Sequence, residues 1–173
     1  MDTKFFNYIS FLLLLFSLTG CPSVEDCNDN GRILNVPNLV QVSPLQTDYN
    51  QGDIITFSLE IPRVFQGIDL LEETGDREGS CAFGGVGDNI LNSNDLQILI
   101  GSTREHENWF YLPFDVNSNS YKLEFTIQLN NIGEYSFDNS APVDFIGENC
   151  NRYFIDTTIA GANANHMIAF TVH

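Results

Sequence analysis

Oxygen-bearing side chains alternate with other residues in the segment Asp26-Cys27-Asn28-Asp29-Asn30-Gly31. Asp26, Asn28 and Asn30 occupy the first, third and fifth positions of a calcium-loop pattern, and a glycine at the sixth lets the backbone turn tightly around a hard cation. The twelfth position should be a bidentate Glu but is Pro37, so the pattern predicts at most a weak Ca²⁺ site. A polar turn that binds no metal explains the same residues.

Acidic side chains are abundant enough to raise the question of carboxylate catalysis. A hydrolase of this kind needs two carboxyl groups, an acid and a base, at a defined separation. The candidates are Glu72, Glu73, Asp76, Glu105 and Glu107. No spacing favours a particular pair, and the glycine-rich stretch 84–87 lacks the Lys-Ser/Thr and helix start of a phosphate-binding loop. We therefore predict no catalytic residues, no cofactor and a protein that is not an enzyme.

A cluster of aromatic residues lies between positions 109 and 114 and contains the chain's one tryptophan. Exposed aromatic rings such as Trp109 and Tyr111 can stack on sugar rings or contact a partner protein. A lone tryptophan in a β-sandwich also commonly fills the core between the sheets. Burial of Trp109 is the favoured interpretation, and ligand contact through Trp109 and Tyr111 is the alternative.

The thiol of Cys21 ends an apolar segment, Phe5 to Leu18, that begins next to Lys4. This segment is shorter than the roughly 20 apolar residues of a spanning helix, and it has the basic start, apolar middle and small-residue end of an export signal. Leu18-Thr19-Gly20-Cys21 resembles a bacterial lipobox, in which a lipid is attached to the cysteine and the peptide is cut just before it. The resemblance implies a signal peptide over residues 1–20 and a membrane anchor through lipid on Cys21. An uncleaved anchor or a simple secretory signal is the alternative.

Three further cysteines follow, namely Cys27, Cys81 and Cys150. In an oxidising compartment two of them are expected to form a disulfide, which leaves one thiol over. The sequence does not choose among the pairings. We favour Cys81–Cys150 because it would tie two parts of one domain, and such a bridge contributes roughly 4 kcal/mol in the chain-entropy model. The cysteine and histidine spacings do not match a zinc site.

The formal net charge is −16, with 7 Lys and Arg against 23 Asp and Glu. A nucleic-acid-binding surface needs Lys and Arg to neutralise phosphates, so we exclude a nucleic-acid partner. The same charge repels an anionic membrane surface. Contact with the membrane is therefore expected through the acyl chains alone.

From residue 39 onward the sequence has the period-2 alternation of β-strands. The pattern is clear over residues 54–61, and residues 121–129 alternate apolar and polar side chains without an error. About eight short strands separated by Gly, Asn, Asp and Pro turns predict an all-β fold, an antiparallel β-sandwich. The predicted organisation is a signal peptide over 1–20, a flexible acidic tether over 21–38 and a β-sandwich domain over 39–173.

The run Leu129-x-x-Ile132-Gly133-x-Tyr135 resembles the corner before a late strand of immunoglobulin-like sandwiches. The resemblance implies that the Tyr135 hydroxyl bonds back to the main chain. The cysteine expected two residues after this tyrosine is Phe137 here, so the disulfide of antibody domains is not expected.

Ser23, Glu25 and Asp26 follow the lipobox and resemble the acidic export signal of Bacteroidota-type surface lipoproteins. Together with the small β domain, they make the chain similar to short surface lipoproteins of this type with an immunoglobulin-like sandwich. The resemblance implies a lipid-anchored protein of the outer membrane that faces the cell surface. Asp156-Thr157-Thr158 resembles the short O-glycosylation motif of the same bacteria, with Thr157 as the modified residue. Alternation along a strand explains these residues equally well.

These observations favour a non-catalytic surface module that binds a glycan or an envelope protein. Its binding residues are expected in the loops 72–87 and 88–95 or in the aromatic segment 109–114, because end loops carry the sites of such folds. A structural or assembly subunit of an envelope complex is the alternative. A carboxylate-dependent hydrolase is the third hypothesis.

Overall fold

The computed structural model describes residues 31–75, 78–83, 90, 94–103, 109–147 and 151–173. The first elements in chain order are β1 (Arg32–Asn35), β2 (Gln41–Ser43), β3 (Asp48–Tyr49), β4 (Ile54–Pro62), β5 (Val64–Phe65), β6 (Ile68–Asp69), the short helix α1 (Leu70–Thr74) and β7 (Gly79–Ala82). They are followed by β8 (Asp95–Ile100), β9 (Ser102–Thr103), β10 (Trp109–Leu112), β11 (Phe114–Asp115), β12 (Ser120–Gln128), β13 (Gly133–Asp138), β14 (Val143–Ile146), β15 (Arg152–Asp156) and β16 (Met167–Val172).

These strands form the two layers of a sandwich. One layer contains a six-stranded sheet in the order β1-β15-β14-β7-β10-β9, and the three-stranded sheet β13-β16-β3 continues it through a bridge between Ser140 and Thr158. The facing sheet has the order β11-β12-β4-β2, with β8 also paired to β12. Among the described strand pairs, those of β1 with β15 and of β3 with β16 are parallel, whereas the others are antiparallel. The predicted antiparallel β-sandwich is confirmed.

The facing sheet is built on β4 and β12, which pair along their whole length. Successive side chains of a strand point to opposite faces, so the apolar residues of both strands lie on one side. Ile55, Phe57, Leu59 and Ile61 of β4 are buried, as are Tyr121, Leu123, Phe125 and Ile127 of β12. The polar residues between them face solvent on the other side, which confirms the alternation predicted from the sequence.

Stacked aromatic rings join the two layers. The ring of Phe125 in β12 stacks on Phe57 of β4 at 4.8 Å and on Phe110 of β10 at 4.7 Å. Phe83, which follows β7, packs edge-on against all three at 5.3–6.0 Å. Offset stacks and edge-to-face pairs of this kind contribute about 0.5–1.5 kcal/mol each beyond the area they bury.

The tyrosine corner predicted before β13 is formed. The Tyr135 hydroxyl donates a hydrogen bond to the carbonyl oxygen of Asn131 at 2.8 Å, which confirms the predicted bond back to the main chain. A residue distant in sequence also stabilises this turn. Oδ1 of Asn94 accepts hydrogen bonds from the main-chain N–H groups of Asn130 and Asn131 at 2.8 and 3.3 Å.

The folded domain begins before the boundary predicted from the sequence. The tether was expected to extend to residue 38, but β1 pairs with β15 from Arg32 to Asn35, and Leu34 is 4% exposed. The main-chain N–H of Val36 also donates to the Asp156 carbonyl at 3.0 Å. One buried leucine and a main-chain ladder are sufficient to order this polar segment, so the prediction is wrong for residues 32–36.

Replacing Phe125 with alanine is expected to destabilise the domain by about 3–5 kcal/mol, the usual cost of removing a buried phenylalanine. The ring contacts both layers, so its loss leaves a cavity between them. The measurement is the free energy of unfolding from urea denaturation. The control is Val116→Ala at a side chain that is 80% exposed, where the change should stay within about 0.5 kcal/mol. Equal effects of the two substitutions would contradict this account of the core.

Candidate functional site on the outer face of the six-stranded sheet

Strand β10 places two aromatic side chains on the outer face of the six-stranded sheet. Phe110 and Leu112 point into the core and are 1% and 0% exposed, and side chains alternate along a strand. Trp109 and Tyr111 therefore stand on the opposite side, where Trp109 is 40% exposed and Tyr111 is half-buried. The two residues lie about 7 Å apart along the strand. We call this pair the aromatic ridge.

Small side chains flank the aromatic ridge on both neighbouring strands. In the register with β7, Trp109 lies opposite Ala82 and Tyr111 opposite Ser80. On the other side, Tyr111 lies opposite Ser102 of β9. These three neighbours are too short to cover the rings, and the two serines place hydroxyl groups on either side of Tyr111.

An ion pair lies next to the ridge on the same face. The row that contains Tyr111 and Ser80 continues to Asp144 of β14. Both oxygens of Asp144 are bound by Arg152, whose Nε lies 2.9 Å from Oδ1 and whose Nη2 lies 2.8 Å from Oδ2. The Asp144 side chain is only 7% exposed, because the guanidinium covers it. Two parallel charge-assisted bonds hold both groups in place.

Beyond the ion pair the same face is apolar. Phe154 of β15 lies opposite Asp144, and Ile33 of β1 lies opposite Phe154. Ile33 and Ile146 are 64% and 45% exposed. The outer face thus has an aromatic end at β10 and an aliphatic end at β1, with a charged pair between them.

Of the two interpretations of Trp109, the one that buried it between the sheets is wrong. The core position on β10 belongs to its neighbour Phe110, which already stacks on Phe125. An inward shift of Trp109 would turn Phe110 and Leu112 outward, since a one-residue slip exchanges the two faces of a strand. Ligand contact through Trp109 and Tyr111 stays a prediction.

Cys81 lies in the core and does not form the favoured disulfide. Its side chain is 0% exposed, and its Sγ donates to the Ala141 carbonyl oxygen at 3.6 Å. In the part of the chain that the structure describes, Cys81 is a free thiol. The inner side of β7 directs it away from the surface, which is the physical reason for this correction. The proposed partner Cys150 and the third candidate Cys27 lie outside the described residues.

Thr157 is inaccessible to a modifying enzyme in this fold. It is 1% exposed, and its Oγ1 accepts a hydrogen bond from the main-chain N–H of Leu39 at 3.2 Å. Its carbonyl oxygen accepts another from the N–H of Ala141 at 3.0 Å. The O-glycosylation predicted at Thr157 is therefore incompatible with the folded domain.

Two of the carboxylates considered for catalysis, Glu72 and Glu73, are described, and both lie in the short helix α1. Oδ1 of Asp69 caps α1 by accepting from the Glu72 N–H at 3.1 Å. In the same helix, Oε2 of Glu73 accepts hydrogen bonds from the Tyr153 hydroxyl and from Nδ2 of Asn151, both at 2.9 Å. These bonds fix the helix to the start of β15. The other candidates, Asp76, Glu105 and Glu107, lie outside the described residues.

The predicted anchor and cation sites are not in the described part of the chain. Cys21, and the calcium-loop residues Asp26, Asn28 and Asn30, precede residue 31. Within the described ranges, no three His, Cys, Asp or Glu side chains are close enough together to hold a metal ion. In those same ranges, no helix has both the length and the apolarity to cross a membrane.

Two surface depressions elsewhere on the described part of the domain are lined by both polar and apolar residues. A groove of about 300 Å³ crosses the outer side of β4 and β12. In its wall, Nζ of Lys122 lies 3.7 Å from carboxylate oxygens of both Glu60 and Asp115. A broader groove of about 510 Å³ lies over β13 and β16 and includes Asp48 and Glu134. The aromatic ridge is therefore the surface feature that best matches a binding residue predicted from the sequence.

Sequence reasoning found the two aromatic residues of this face but missed the residues around them. Ser80, Ser102 and the Asp144–Arg152 pair come from four different strands. Their proximity depends on strand order and register, and no local pattern in the sequence carries that information. The loops 72–87 and 88–95, also predicted to bind, are described only in part.

Comparisons with known proteins add little. No protein-family model matches the sequence, and no curated protein matches it. Among solved structures, the chain is similar to the crystal structure of AggA, the major subunit of aggregative adherence fimbriae type I from Escherichia coli. The two are 13% identical, over 73% of this chain and 99% of that chain, with a TM-score of 0.35. An overlap this loose bears on neither family nor function.

The Cys81 thiol is expected to resist alkylation in the native protein. Burial raises its pKa because a thiolate in the core would lose its hydration. Native labelling by iodoacetamide should therefore stay negligible as the pH rises from about 7 to 9, a range in which an exposed thiol ionises. Mass spectrometry of the Cys81 peptide gives the readout, and the same reaction in denaturant is the control. Rapid native labelling, or a Cys81–Cys150 peptide in an unreduced digest, would contradict the observed environment.

Proposed function

We propose that this protein is a lipid-anchored lipoprotein of the cell envelope and that it acts there as a non-catalytic surface binding module. The observation that carries the binding role is the exposure of Trp109, with Tyr111, on the outer face of the six-stranded sheet. Burial of apolar surface is favourable by about 25 cal/mol per Å². A pair of aromatic rings held in water by a rigid sheet is therefore a surface from which a ligand can gain free energy.

The proposed location is supported by the sequence around Cys21. The lipobox resemblance and the acidic residues after it indicate a lipid anchor at the outer membrane, facing the cell surface. The first described strand begins at Arg32. Even when fully extended, the segment from Cys21 to Arg32 spans at most about 40 Å. An anchored domain would thus stay close to the membrane, where its partners are components of the envelope or molecules that reach it.

One observation favours the alternative, a structural or assembly subunit. Ile33 of β1 and Phe154 of β15 form an apolar pair at the other end of the same face, and the exposed Ile146 of β14 lies opposite Arg152. A protein partner that covered the whole face would use both ends and would enclose the Asp144–Arg152 pair. The two roles differ in which end of the face contributes to binding, and substitutions can separate them.

Replacing Cys21 with serine is expected to abolish membrane attachment, because serine has no thiol to accept the lipid. In a Bacteroidota expression host, the unchanged chain should partition with membranes. Mass spectrometry should find a terminal peptide that begins at residue 21 and bears acyl groups. The Cys21→Ser protein should be released in soluble form. The proposed anchor would be wrong if the Cys21→Ser protein stayed bound to the membrane. It would also be wrong if the unchanged chain retained Met1 and carried no lipid.

Replacing Trp109 with alanine is expected to reduce the retention of envelope material by the immobilised full chain at least several-fold. The reason is that the largest exposed aromatic surface of the proposed site is lost. Envelope extract is separated into polysaccharide and protein fractions, and the retained mass of each is measured. Val116→Ala, a change at an exposed residue in the turn between β11 and β12 of the facing sheet, is the control. Unchanged retention in Trp109→Ala would remove the binding role, and an equal loss in Ile33→Ala would favour the assembly subunit.

A further inference from the structure

We propose that the aromatic ridge binds an uncharged saccharide, with sugar rings stacked on Trp109 and Tyr111 and sugar hydroxyls bonded to Ser80 and Ser102. This inference rests on the proposed binding function and names the ligand class of its site. Three observations carry it, namely the composition of the ridge, its small area and the charge around it.

The composition of the site suits an amphipathic ligand. Trp109 and Tyr111 offer apolar ring surface, whereas the serines opposite Tyr111 on both neighbouring strands offer hydroxyl groups at its border. A sugar ring has the same division, since its C–H groups form an apolar face and its hydroxyls lie around the rim. Aromatic side chains with one polar atom also present large contact area with few rotatable bonds. The Ser80 hydroxyl donates to the Asp144 carbonyl oxygen at 3.4 Å, which leaves its lone pairs to accept from a sugar hydroxyl.

The area of the ridge is too small for a stable protein interface. An aromatic side chain has about 150–250 Å² of surface to bury, and Trp109 exposes 40% of its own. Two such side chains therefore offer on the order of 150 Å². A stable protein interface needs about 800 Å² on each partner. The ion pair of Asp144 and Arg152 separates the ridge from the aliphatic end of the face, so the apolar surface is not continuous.

The charges of the described residues around the ridge favour an uncharged ligand over an anionic one. The chain carries a formal net charge of −16, which repels acidic polysaccharides at long range. The nearest described cation on this face is Arg152, and its guanidinium is engaged by both oxygens of Asp144. The serine and aromatic groups of the site are uncharged. A neutral saccharide meets no electrostatic penalty there.

The tryptophan itself reports on binding, because Trp109 is the chain's one tryptophan. The full chain, held in detergent, is titrated with the uncharged trisaccharides maltotriose, cellotriose, mannotriose, xylotriose and chitotriose. Trigalacturonic acid is the anionic comparison. We expect at least one uncharged trisaccharide to shift Trp109 emission to the blue and to protect it from acrylamide quenching. Trigalacturonic acid should do neither.

The binding site is then located by measuring, with calorimetry, the Kd of variants for a trisaccharide that changes Trp109 emission. Trp109→Ala should raise Kd by about tenfold or more, whereas Trp109→Phe, which keeps a ring, should recover most of the affinity. Ile33→Ala, at the far end of the same face, should leave Kd unchanged. Circular dichroism and the thermal midpoint of each variant confirm that it is folded.

The outcomes separate this inference from the function on which it rests. If none of the uncharged trisaccharides changes Trp109 emission at millimolar concentration, the proposal that the ridge binds a saccharide is wrong. A response to trigalacturonic acid alone would also contradict this proposal, and so would a Trp109→Ala variant with an unchanged Kd. If the saccharide fails but Trp109→Ala still reduces retention of an envelope protein, the binding module stands with a different ligand. If Trp109→Ala changes neither measurement, both proposals fail.

Discussion

The contact on which the structure depends is the stack of Phe57, Phe125 and Phe110. The first two belong to the facing sheet and the third to β10 of the six-stranded sheet, so the stack is where the two layers are held in register. Phe83 closes it with edge-on contacts to all three rings. Close-packed aromatic groups tolerate little displacement. The position of β10 across the core is therefore fixed.

The candidate site follows from this constraint. With Phe110 in the stack, alternation along the strand leaves Trp109 and Tyr111 no direction except outward. The rings are thus presented by a rigid strand and not by a loop, so little conformational entropy is lost when a ligand orders them. The described neighbours Ser80, Ala82 and Ser102 are small, and Trp109 keeps 40% of its surface exposed. The core and the proposed binding surface are two faces of one four-residue strand.

The sequence predicts the fold wherever a strand alternates cleanly and fails where it does not. Residues 121–129 alternate throughout, and the structure has β12 there. The tyrosine corner was visible because it combines a glycine and a tyrosine at fixed spacing, and its hydrogen bond is formed. Strand β1 was missed because Leu34 is its one buried side chain, and its order comes from parallel pairing with a strand about 120 residues away.

The candidate site could be predicted only in part, because its residues do not alternate between apolar and polar side chains. Trp109-Phe110-Tyr111-Leu112 is large and apolar or amphipathic at every position, so alternation cannot say which pair faces the core. Cys81 illustrates the same limit, since an oxidising compartment suggested a disulfide and its place on the inner side of β7 makes it part of the core. Choosing between faces requires the strand register, which is set by contacts between residues far apart in sequence.

The two outer faces of the sandwich differ in a way that bears on function. On the facing sheet, β4 and β12 expose mainly polar and charged side chains, and Lys122 lies between Glu60 and Asp115. Such a face is well hydrated and gains little from being covered. On the six-stranded sheet the exposed groups include Trp109, and the charges of Asp144 and Arg152 satisfy each other. Because ligand binding draws its free energy mainly from apolar surface removed from water, the exposed ring of Trp109 gives the six-stranded sheet an aromatic contact surface that β4 and β12 do not offer.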